Sequence, residues 1–208
     1  CHGIKNKIRY ISAPKVNRAE TEIISTEDKA ILSSYLIDSD DPMDTGILIS
    51  LYTGMRIGEV CGLKWDDIDF NNEVINVRRT VQRICNGHGG TVLIVGSPKT
   101  TGSYRTIPIP KPLLNKLSEM QHDPDYAVIT DSSQYSEPQT LRKHFKETLT
   151  ICRIKNIKYH SLRHTFASDC VRLGFDIKAL SELLGHSSTA MTLDRYAHTS
   201  LETKRMYM

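Results

Sequence analysis

Cysteine is too sparse and too scattered in this sequence to staple a fold. The 208 residues hold five (Cys1, Cys61, Cys85, Cys152 and Cys170), widely spaced and without a Cys-x-x-Cys pair. Neither a disulfide framework nor a zinc ribbon fits that pattern, and reduced thiols in a cytosol are the economical reading. No apolar run approaches the ~18–20 residues of a membrane span, and nothing at the start reads as a signal peptide. There is no G-x-x-x-x-G-K-[ST] loop for a nucleotide and no carboxylate cluster suited to a pair of magnesium ions. A bulk excess of one charge is missing too: 27 Lys and Arg stand against 24 Asp and Glu, a formal net charge of +3. That balance permits an anionic partner without demanding one.

What is there suits a globular chain, 39% hydrophobic and 25% charged, long enough to bury a core. Residues 1–24 are polar, basic and aperiodic, and are expected to form a linker or strap. "STEDKAILSSYL" (25–36) opens with hydroxyl and acidic residues, a helix start. "DTGILISLYTG" (44–54) is apolar enough for a buried helix closed by Gly54, and "RIGEVCGLKW" resumes a helix at once. The β-branched runs "EVINVRRTVQR", "TVLIV" and, after a "KTTGS" turn, "YRTIPIP" predict a small antiparallel three-stranded sheet. Past Pro112 the helical pattern returns in "LLNKLSEM", "TLRKHFKETLTICR", "SLRHTFASDCVRLG", "DIKALSELLG" and "TLDRYA". The expected class is α+β, mostly helical.

Four islands carry chemistry. In "TGMRIGEVCGLKW" (53–65), Arg56 follows a Thr-Gly break and Glu59 lies one turn on. This is either an ordinary surface pair or an arginine buttressed by a carboxylate with its fork aimed at a phosphate. Lys99, in "SPKTTGSYRTIPI" (97–109), reads as the tip of a strand-turn-strand. It is a solvated lysine or a proton donor able to reach a scissile bond. In "YHSLRHTF" (159–166), His160, Arg163 and His164 share one side of the first turns of a helix. A zinc-protease helix needs Glu beside its first His, and here the neighbour is Ser161, so no metal is expected. An anion site at a helix N-terminus uses all three groups. Finally, "LLGHSSTAMTLDRYAHTS" (183–200) offers His186 in a turn and Tyr196 ten residues later.

Taken singly, each island has a bland explanation. Taken in order, Arg, Lys, His-x-x-Arg, His and Tyr resemble the tyrosine recombinase (phage integrase) family, most closely integrases of phages and conjugative transposons. The carriers are "TGMRIGEVCGLKWDDID", "SPKTTGSYRTIPI", "HSLRHTFAS" and "LGHSSTAMTLDRY", with "YAVITDSSQYSEPQTLRKHFK" ahead of the His-x-x-Arg helix. The resemblance implies a catalytic domain over 25–200 with a C-terminal tail at 201–208. It implies a site-specific recombinase that cuts and rejoins double-stranded DNA through a 3′-phosphotyrosyl link, to integrate or excise a mobile element.

Tyr196 would be the nucleophile and His160 its base, since a phenol of pKa ~10 is only about one part in a thousand ionised at pH 7. Arg56 and Arg163 would clamp the non-bridging oxygens, His186 would add a donor, and Lys99 would be the general acid. Glu59 would orient Arg56. No cofactor or metal is implied. The resemblance further implies self-association as a tetramer on DNA, no membrane partner, and a cytoplasmic, DNA-associated setting in a bacterium. Residues 1–24 leave no room for the family's N-terminal core-binding domain, so weak, salt-dependent DNA binding is expected. The alternatives are a type IB topoisomerase-like relaxase, a non-catalytic DNA-binding relative and a helical protein-interaction domain.

Overall fold

Ser25 accepts a hydrogen bond from the Asp28 backbone N–H at 3.0 Å and opens helix α1, Thr26–Asp38. A computed structural model describes residues 22–87, 89–96, 104–120, 123–186, 189, 190 and 192. Asp41 caps α2, Pro42–Thr53, in the same way, accepting from the Met43 N–H, and Pro42 sits in the first turn, where no donor is lost. Residues 44–51 of α2 are all buried, so this helix runs through the middle of the molecule. Gly54 ends it in the left-handed region, with φ at 66°. A Cβ there would lie 2.5 Å from the Phe166 ring, so both the turn and the close packing require glycine.

Helix α3, Ile57–Cys61, follows at once and gives way to a 3-10 turn at Trp65–Asp67. The expected three-stranded antiparallel sheet is present, with different members. Its strands are β1 (Ile68–Asp69), β2 (Val74–Val77) and β5 (Arg105–Pro108), and Ile75 faces Ile68 on one side and Ile107 on the other. The run 73–83 divides at Arg78 and Arg79, which turn toward Asp67. That carboxylate is almost fully buried and pairs with Arg79, and Arg78 lies 3.6 Å away. β3 (Thr80–Cys85) therefore leaves the sheet and pairs with β4 (Thr91–Gly96) as a separate ribbon. The strands flanking Lys99, β4 and β5, belong to different sheets, which corrects the expected strand-turn-strand.

Helices α4 (Lys111–Glu119), α5 (Pro138–Ile151), α6 (His160–Arg172) and α7 (Ile177–Leu184) complete the order. The main apolar core joins α1–α5, the sheet and the start of α6. A smaller cluster, Ala167, Cys170, Leu180 and Leu184, seats α7 on α6. Of the expected strap, residues 22–24 are described. Ile24 is buried and its N–H donates to Thr165 Oγ1 at 2.9 Å, so the strap's end is stitched to α6. Residues 1–21, Lys99, Tyr196 and the tail 201–208 lie outside the described residues. Among the described residues no helix is long and apolar enough to cross a membrane.

Candidate active site

The first turn of α6 is held from behind. Tyr159, the residue before it, is buried and its hydroxyl lies 2.7 Å from Ser50 Oγ, in the middle of α2. From that anchored start, His160 reaches the surface while Arg163 and His164 turn inward. Arg163 is 3% exposed, and its Nη1 and Nη2 donate to Gly54 O and Leu184 O, both at 2.7 Å. These are carbonyls that helices α2 and α7 leave unpaired at their C-terminal ends, where a cation is favoured. One side chain thus ties three helix ends together. The His160 and His164 rings meet edge to face with centroids 4.5 Å apart.

Arg56 reaches the same place from the other side. Its Nη2 donates to Gly185 O at 2.8 Å, one residue beyond the carbonyl that Arg163 holds. Its Nη1 donates to Glu59 Oε1 at 2.8 Å, and its backbone N–H to Glu59 Oε2 at 2.8 Å. The arginine is 39% exposed, whereas Glu59 is 4% exposed. His186 follows Gly185 directly, its N–H bonded to Ser181 O and its Nδ1 2.7 Å from Thr192 Oγ1. The turn 184–186 therefore gathers Arg56, Arg163 and His186, and Glu59 stands behind Arg56. His160 and Arg163 line a cavity of about 1040 Å³ whose wall also carries Met55, Ile57 and Lys158.

Two features escaped the sequence reading. Arg105 forks onto Glu59, Nη1 to Oε1 at 3.0 Å and Nη2 to Oε2 at 2.8 Å, and its Nε donates to Leu183 O at 2.5 Å. Strand alternation was the available signal, since Arg105 shares a face with buried Ile107 and Ile109. The cavity wall also carries Arg142, Lys143 and Lys146 from α5, with Glu137 the one acid among its described lining residues, a polarity suited to a polyanion. Their spacing of three and four residues was legible as one helix face.

Burial alone would raise the Glu59 pKa. The hydrogen bonds and charge of Arg105, then the charge of Arg56, outweigh it and hold the carboxyl at about 2, against an ordinary 4.5. A depressed carboxyl stabilises the fold above its unfolded pKa and loses that contribution as pH falls through the folded value. The shift corresponds to on the order of 3 kcal/mol. In Glu59→Gln, the fall in unfolding free energy between about pH 5 and pH 2 should flatten by roughly that amount in urea titrations. Parallel pH curves for the two proteins would refute it.

Among the described residues, Asp41, Asp44 and His144 place ligand atoms within 4.8 Å of one another, at the start of α2. Asp41 is occupied as the α2 cap, and Asp44 accepts from Ser39 and Thr148 and lies 2.8 Å from His144 Nε2. This group sits at the far end of α2 from Gly54, away from Arg56 and Arg163.

A mostly helical domain thus brings Arg56 and Arg163 together at helix ends, beside a basic cavity. The profile of the phage integrase family matches residues 19–203, and the chain belongs to that family. It is 30% identical to a tyrosine recombinase XerC-like protein of Caldanaerobacter subterraneus over 219 residues, covering 95% of this chain and 55% of that protein. It is 31% identical to tyrosine recombinase XerA of Pyrococcus furiosus over 198 residues, covering 91% of this chain and 62% of the relative. Its fold superposes on the Tn1549 transposon integrase solved with transposon right end DNA, with TM-score 0.73, 24% identity and coverage of 93% of this chain and 67% of that one. The chain thus spans somewhat over half the length of the curated relatives it matches.

Proposed function

We propose that this chain is the catalytic portion of a site-specific DNA recombinase that breaks and rejoins strands by transesterification. The observation that carries this reading is the gathering of Arg56, Arg163 and His186 on the single turn 184–186, beside a cavity walled by basic side chains. In the proposed reaction, Tyr196 Oη attacks the scissile phosphorus. The bond to the 5′-oxygen breaks, leaving a 3′-phosphotyrosyl link and a free 5′-hydroxyl. His160 takes the phenolic proton and Lys99 supplies one to the departing oxygen.

Arg56, Arg163 and His186 stabilise the charge that develops on the non-bridging oxygens. Rejoining is the same step in reverse, with a 5′-hydroxyl as nucleophile. The phosphodiester energy is kept in the tyrosyl link, so no nucleotide is consumed. Relatives named as recombinases, and a structural neighbour named as a transposon integrase, favour strand exchange on a mobile element over simple relaxation. We place the reaction in a DNA-bound tetramer acting in a cytoplasm.

The test is covalent capture on a suicide duplex, nicked so that the leaving fragment is lost. The chain should form an adduct stable to denaturant, and with paired sites it should yield recombinants. Release of supercoils without recombinants would instead support the relaxase.

A further inference from the structure

The structure assigns Arg105 a positioning role in strand cleavage: by occupying Glu59, it keeps the Arg56 guanidinium aimed at the reacting phosphate. This inference rests on the recombinase reading above.

The argument begins with acceptor sites. A carboxylate offers about four lone-pair positions. Glu59 Oε1 accepts from Arg56 Nη1 and Arg105 Nη1, and Oε2 from the Arg56 backbone N–H and Arg105 Nη2. All four are used, so the carboxylate cannot rotate without breaking a charge-assisted bond. Without Arg105, one acceptor position opens on each oxygen. Glu59 is then able to close a two-pronged pair with Arg56 and draw its Nη2 away from Gly185 O.

Charge leads to the same place. Two guanidinium groups share one carboxylate, which leaves a net positive charge at Arg56, the more exposed of the two. With Arg105 gone, the remaining pair is neutral and attracts a phosphate less. The seating of the turn adds a third link. Arg105 Nε holds Leu183 O, and a Cβ on Gly185 would lie 3.1 Å from Arg105 Nη1. The turn that carries His186 is packed directly on this guanidinium.

Arg105 is 6% exposed, with both Nη atoms bonded to Glu59 and its Nε to Leu183 O, so it acts through Glu59 and the turn. Its loss should therefore lower the cleavage rate of bound DNA and leave affinity nearly unchanged. The experiment measures single-turnover cleavage of the suicide duplex at saturating protein, and DNA affinity by anisotropy. The proteins are wild type, Arg105→Met and Arg105→Lys, each with Arg56 intact and with Arg56→Lys.

With Arg56 intact, Arg105→Met should slow cleavage more than ~10-fold while Kd moves less than ~3-fold, and Arg105→Lys should recover part of the loss. In the Arg56→Lys background, Arg105→Met should cost less than ~3-fold, because the fork it aims is already gone. Equal losses in the two backgrounds, the mark of simple destabilisation, overturn the proposal, and so does an unchanged rate. If Arg105→Met does not fold, the same comparison with Arg105→Lys decides between these outcomes. A wild-type chain that makes no adduct sinks the recombinase reading and this inference with it. A wild-type adduct with additive losses sinks the role of Arg105 alone.

Discussion

Replacing Tyr196 by phenylalanine should abolish covalent capture of DNA while leaving DNA binding within about threefold of wild type. Removing a nucleophile outright costs more than ~10⁴-fold in rate, because no neighbouring group forms the bond in its place. Affinity behaves differently, since contacts to the phosphate backbone dominate binding and a single phenolic oxygen adds little to them. The measurement is a denaturing gel of the trapped adduct beside an equilibrium binding curve at fixed salt. An adduct that persists in the variant moves the nucleophile elsewhere, with Tyr207 the first to examine.

Arg163→Ala should cut cleavage by more than ~100-fold, the scale for removing a donor from a developing oxyanion. The structure adds a second consequence that the sequence did not suggest. Gly54 O and Leu184 O lose their guanidinium partner, and a buried carbonyl left without one costs about 1–3 kcal/mol. A domain of this size should then melt roughly 5–10 °C lower. The two effects separate in Arg163→Lys, which keeps the charge and one bond but not the fork. It should recover most of the melting temperature and still cleave more than ~10-fold slower than wild type. Wild-type cleavage in a folded Arg163→Lys would reduce Arg163 to a structural tie.

The helices were legible because their signals are local. The helix start at Ser25, the glycine stop at 54 and the turn at Gly185 each depend on a few adjacent residues and formed where expected. Strand partnership was not legible. "EVINVRRTVQR" reads as one strand until Asp67, far enough away in sequence to be invisible to a local pattern, captures Arg79 and divides the run. For the same reason "TVLIV" pairs with β3 and not with the strand that follows it.

The site divides along the same line. Arg56, Glu59, His160, Arg163 and His186 were nominated by residue type, spacing and order. That much the sequence alone could put forward, through local spacing and the family resemblance that the islands carry in order, because turns and helix faces are set within a few residues of chain. Which of these side chains meet, that Arg163 spends one N–H of each Nη on a carbonyl at a helix end, and that Arg105 shares the Glu59 carboxylate were decided only in three dimensions. Those contacts join residues 46 to 129 positions apart in most cases, and an unpaired carbonyl or carboxylate takes whichever donor the packed helices bring within reach.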